Sequence, residues 1–189
     1  MALQEFWDKF QASFIEQIGS LNISVLIDAW KSCGNRTAMY ENNVLEEVAQ
    51  SMGMSFKKEE FKIDYTFCKK ISPDYEVPLI YIESENIAKH SMHEMRKLCC
   101  LSAPLKILIT CVEWSDEDGY WKNGGNKKLL TDEWASIISK HNTVWPQPAI
   151  TGVLIAERKN DILRYYSLVF SPNGEILNDS NIIIERRLS

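Results

Sequence analysis

The sequence predicts a mixed α/β fold, a central β-sheet flanked by helices. Three observations carry this. Near the N-terminus Phe6, Phe10, Phe14 and Ile18 recur every four residues, as on one face of a helix. From residue 61 the period changes to two, the mark of a strand. Strand-like and helix-like runs then alternate, which builds layers of helix on sheet.

Taken in order, residues 4–18 read as a helix, and 22–31 as a second helix or helical turn with Asn22 as its cap. "NNVLEEVAQSMGM" reads as a third helix, stopped near Gly53. "FKIDYTFC" places Phe61, Ile63, Tyr65 and Phe67 on one face of a strand. "DYEVP" reads as a connection into a strand over residues 79–85. "NIAKHSMHEMRKLCCL" is helical and "APLKILITCVE" is a strand. A helix between two such strands implies a right-handed crossover joining parallel neighbours. "DEDGYWKNGGNKK" reads as a polar loop, and "LLTDEWASIISKHN" as a helix with Thr131 and Asp132 at its start. "AITGVLIAERK", "LRYYSLVFS" and "IIIERR" are strands, with "SPNGE" a turn.

A chain of 189 residues suits one domain. Residues 1–42 read as an N-terminal helical extension, 43–113 as the core region, and 114–189 as the helix and strands that complete the sheet. The formal net charge of −5 weighs against nonspecific adhesion to nucleic acid or membrane. It leaves room for a local basic groove. The N-terminus lacks the apolar core of a signal peptide, and no stretch has the ~20 apolar residues of a membrane span. The five cysteines form no CxxC pair. These features predict a reduced cytoplasmic protein without a structural zinc site.

The chemistry concentrates in "IYIESEN". Leu79, Tyr81, Glu83 and Glu85 share one strand face, so both acids stand at the strand's C-terminal end. Ligands of open α/β sheets bind beyond such ends. Asp64 interrupts the preceding strand on the face opposite Ile63 and Tyr65, and comes level with these acids if the strands are neighbours. Clustered carboxylates repel one another, and a divalent cation removes that penalty. On a helical wheel of the following segment, Glu94 falls at the edge of the apolar arc, with His90 and Lys97 beside it. Glu94 and Lys97 can therefore lean toward the same cleft. Each piece also has a plainer reading: solvated strand-end acids, a surface Glu94–Lys97 pair, and ordinary surface histidines at 90 and 93.

At these residues the sequence resembles the PD-(D/E)xK, or restriction-endonuclease-like, nuclease superfamily. Asp64 matches the first acid, and Glu83, 19 positions on, the second. Glu85 stands where the usual lysine would be, and Lys97 on the following helix matches a migrated lysine. Glu46 or Glu47 matches the acid of the preceding helix. The proline before the first acid is absent, since Ile63 stands there. The resemblance spans about residues 43–113.

It implies a restriction-endonuclease-like core and Mg²⁺-dependent (or Mn²⁺-dependent) phosphodiester hydrolysis, with DNA the expected substrate. Asp64 and Glu83 would hold the metal, and Glu85 or Lys97 would position or deprotonate a water. Glu47, Glu94 and His90 would support them. Lys122, Lys127 and Lys128 lie in a loop with a Gly-Gly hinge, beside Tyr120 and Trp121, and suit contacts to a nucleic-acid backbone. Such enzymes often act as homodimers. Missing lysine 85 keeps a second reading open, a non-catalytic endonuclease-like module that binds protein or nucleic acid. No GxSxG or HExxH signature supports another hydrolase.

Overall fold

The computed structural model describes residues 3–114 and 125–189. Four helices come first: α1 (Leu3–Ser20), α2 (Ile23–Ala29), α3 (Cys33–Asn43) and α4 (Leu45–Ser51). α1 buries Phe6, Trp7, Phe10, Phe14 and Ile18, the predicted stripe with a tryptophan added. Asn22 caps α2, its Oδ1 accepting from the Ser24 N–H at 2.9 Å. Ser32 caps α3 in the same way, through the Asn35 N–H at 3.1 Å. Gly53, at φ 68°, takes the left-handed turn after α4.

The strands are β1 (Ser55–Glu60), β2 (Ile63–Ser72), β3 (Tyr75–Glu85), β4 (Leu105–Cys111), β5 (Ile150–Lys159), β6 (Ile162–Phe170) and β7 (Ile176–Arg187). A 3-10 turn (Ala88–His90) and α5 (Ser91–Cys99) join β3 to β4, and α6 (Gly125–Val144) precedes β5. The strands make one seven-stranded sheet in sequence order. The β3–β4 and β4–β5 pairs are parallel and the other four are antiparallel. The expected mixed sheet flanked by helices is therefore observed, with parallel strands joined through α5.

Each sheet face carries its own core. On one, α1–α4 pack Phe10, Phe14, Tyr40 and Val48 onto Phe67, Ile107, Leu154 and Tyr165. On the other, α5 and α6 pack Met95, Leu98 and Trp134 onto Tyr81, Leu108, Val153 and Leu168. Burying each such side chain contributes ~1.5–3 kcal/mol. β4 and β5 are buried along almost their whole length, as central strands covered on both faces must be. Gly152 lets α1 approach: a Cβ there would overlap the Trp7 ring.

The elements differ from expectation in several places. α3 lacks an apolar stripe, burying only Met39 and Tyr40, so periodicity gave no signal for it. β1, "SFKKEE", is a charged edge strand and gave none either. Phe61 does not share the buried face of Ile63. It stands 68% exposed in the β1–β2 turn, where Phe61 and Lys62 have φ of 55° and 61°. Residues 75–78, expected as a connection, already belong to β3. α6 starts at Gly125, before Thr131, because "NKKLL" supplies good helix formers.

Candidate functional site

β2 and β3 set the site. Tyr65 pairs with Ile82 in antiparallel register, which brings Asp64 opposite Glu83. Asp64 Oδ2 accepts the Ser84 N–H at 2.8 Å. Glu83 is 1% exposed, on the face that packs against α5. From α5, Lys97 Nζ reaches Glu83 Oε1 and Glu94 Oε2, each at 2.7 Å. α5 places Glu94 and Lys97 one turn apart on the face toward β3, as their position at the edge of the apolar arc predicts. Lys97 is 30% exposed and is the member of the trio most open to solvent.

The electrostatics follow from burial. Desolvation, helped by the charges of Asp64 and Glu94, pushes the Glu83 carboxyl up to about 9 against the pull of Lys97. Burial lowers the Lys97 pKa, but the two carboxylates outweigh it and the net shift is upward. Fully ionised, two carboxylates and one ammonium carry a net −1 charge. A proton on Glu83 brings the trio to neutrality.

Two clefts lie near these groups, and one of them reaches a member of the trio. One of about 650 Å³ opens on Glu94, with Glu85, Lys89, His90, His93 and Arg96 on its walls. The other, about 360 Å³, opens on Asp64 and is lined by Thr37, Glu41, Lys58, Tyr65 and Ser84. A larger cleft of about 740 Å³, by Phe6, Met52, Met54 and Leu79, is mostly apolar and lies away from these groups.

Not every expected site residue joins the cluster. Glu85 turns away and accepts the Ile87 N–H through Oε1 at 2.7 Å. Glu47 is exposed on α4, which packs against α1, α3 and β1. His90 is exposed on the cleft wall. Lys127 and Lys128 stand on the first turn of α6 and not on a hinged loop, and Lys128 pairs with Asp132 at 2.7 Å. Lys122 lies outside the described residues.

Asp64 and Glu83, the expected Mg²⁺ ligands, each have another partner. Among the described residues, no three or more His, Cys, Asp or Glu side chains are grouped to hold a metal ion.

Sequence reading also missed Lys106, which is 4% exposed and donates to Gln147 Oε1 at 2.7 Å and the Cys99 carbonyl at 3.4 Å. A lysine inside the apolar run "PLKILIT" was the available signal. Arg36 was missed as well. Its Nε donates to Asn86 Oδ1 at 2.7 Å, just past the end of β3.

Among the described residues, no helix is long and apolar enough to cross a membrane. No family model matches the sequence. No curated protein matches it either. The solved structures include a similar chain, a carbon-nitrogen hydrolase from Helicobacter pylori G27, with 10% identity and a TM-score of 0.41, covering 85% of this chain and 67% of that one. That neighbour is named for carbon-nitrogen hydrolysis and not for nucleic-acid cleavage. The expected membership of the restriction-endonuclease-like superfamily is corrected accordingly, and so are the nuclease activity and the endonuclease-like binding module that rested on it. So distant a likeness gives this chain neither a family nor an activity.

Proposed function

We propose that the chain is a hydrolase whose acid–base group is the trio Glu83, Lys97 and Glu94. One observation carries this reading: an accessible ammonium lies 2.7 Å from a carboxylate that is itself 1% exposed. Lys97 meets the substrate. As a cation, it stabilises negative charge developing on the leaving group. It can also pass a proton to that group and recover one from Glu83, which burial keeps protonated toward about pH 9. Glu94 holds the Lys97 side chain in place at 2.7 Å. The site's place at the C-terminal end of β3, beside the cleft that Glu94 lines, gives a substrate a route in.

The test is a panel of chromogenic carboxylic esters, anilides and phosphate esters. Wild type is compared with Lys97→Met and Glu83→Gln, each checked for folding by circular dichroism. At least one class should be turned over, with Lys97→Met lowering kcat by ~10²–10⁴. Failure of every class with wild type, or a folded Lys97→Met at the wild-type rate, overturns the reading.

A further inference from the structure

On the other face of the sheet, two cysteines flank one arginine. Cys33 is exposed and is the first residue of α3. Arg36, one turn later, donates through Nη2 to its Sγ at 3.3 Å. The same guanidinium acts on the Cys111 thiol at the end of β4, opposing the burial that pushes it up to about 11. Asn86 ties the two ends together. It accepts from Arg36, and its own Nδ2 approaches the Cys33 carbonyl at 3.5 Å. Glu85 pairs with Thr110 at the end of the parallel β3–β4 register, and Asn86 and Cys111 are the next residues along. Cys33 and Cys111, 78 residues apart in sequence, thus face one guanidinium, that of Arg36.

We propose that Cys33 and Cys111 form a peroxide-driven disulfide, with Arg36 as the group that activates Cys33. Arg36 Nη2 donates to the Cys33 sulfur and so holds it in place at the exposed end of α3, where peroxide can reach it. The thiolate sulfur attacks one oxygen of hydrogen peroxide. An S–O bond forms, the O–O bond breaks, and hydroxide leaves to become water, giving a sulfenic acid. Cys111 sulfur then attacks the Cys33 sulfur. The S–S bond forms, the S–O bond breaks, and the Cys111 proton leaves with the hydroxyl as a second water. Two thiols and one peroxide give one disulfide and two waters. The first turn of α3 moves toward β4 to close the bond, and Arg36 releases Asn86 beside the end of β3.

The experiment is a timed exposure of the reduced protein to hydrogen peroxide, followed by peptide mass spectrometry without reductant. Cys100, which is exposed, is the internal control. The expected product is a peptide pair joining Cys33 to Cys111, with Cys33 oxidised ~10-fold faster than Cys100. Arg36→Met should bring Cys33 to the rate of Cys100. Cys111→Ser should leave a sulfenic acid at Cys33 that dimedone traps. Cys33→Ser, a change at an exposed position, is the variant least open to misfolding, and it should abolish the cross-link. A Cys33 rate equal to that of Cys100, a rate unchanged in Arg36→Met, or absence of the joined peptides overturns the proposal.

Discussion

Glu83 sets the behaviour of the molecule at the scale of one residue. Folded, its carboxyl keeps a proton to about pH 9. Unfolded, it releases that proton near ~4.3. The folded state therefore binds more protons in this window, and stability falls as pH rises through it. Glu83→Gln carries no such proton. The wild-type advantage over Glu83→Gln should shrink from about pH 5 to about pH 9 in urea titrations. A difference flat across that range would mean that Glu83 ionises normally in the fold. Lys97→Met removes the only counter-charge within 4 Å of Glu83 among the described residues. A stranded buried charge costs ~3–5 kcal/mol, but Glu83 can take up a proton, so about 2 kcal/mol is expected near neutral pH. Denaturant midpoints at pH 5 and pH 8 check this, with similar losses at the two, because Glu83 holds its proton at both. The pairing of Glu94 and Lys97 toward β3 was legible, because an acid and a lysine sat at the edge of an apolar arc. The turning away of Glu85 was not. It depends on the Ile87 N–H after the strand, and no pattern of residue types marks that bond.

For whole elements, legibility followed the clarity of the apolar period. α1 and β2 to β6 announced themselves through buried apolar faces. α3 and β1 did not, because one has little apolar surface and the other lies at an edge. The end of "FKIDYTFC" was misplaced for a related reason. Phe61 continues the alternation on paper, while the chain itself is in a left-handed turn there. How α1 meets the sheet was also hidden from sequence, since it depends on a glycine distant in the chain. Gly152→Ala would force a methyl group into the Trp7 ring. Such overpacking costs ~1–3 kcal/mol, so a clear drop in Tm is expected. Trp7→Leu combined with Gly152→Ala should recover part of the loss, and absence of recovery would locate the strain elsewhere. Asn22 is the cap of α2, and Asn22→Ala should cost about 1 kcal/mol by the same denaturant measurement.

At the scale of the molecule, the sheet has two open edges, and the chain protects them differently. β1 carries Lys57, Lys58, Glu59 and Glu60, charges that discourage pairing with another sheet. β7 leaves Ile176, Leu177 and Ile182 about half exposed, and its pairing to β6 is interrupted by register shifts that bend the edge. Replacing both Lys57 and Lys58 by Val should raise association of the folded protein, read by light scattering against concentration. Scattering no higher than that of wild type would show that the β1 edge is closed by something other than its charge. The sheet order was only partly readable. The α5 crossover fixed β3 and β4 as parallel neighbours, whereas the β4–β5 pairing needed the placement of α6 as well.

Strand order follows chain order across the whole sheet, yet α1 packs on β5, and Arg186 from β7 donates to the carbonyls of Ile18 and Leu21 near the end of α1. On a ribosome the strands can therefore be added one by one, each to the edge left by the last. α1 cannot settle until β5 emerges. For that interval Phe6, Trp7, Phe10 and Phe14 have no finished surface to cover them, so a nascent chain halted before residue 150 should bind chaperones that a completed chain releases.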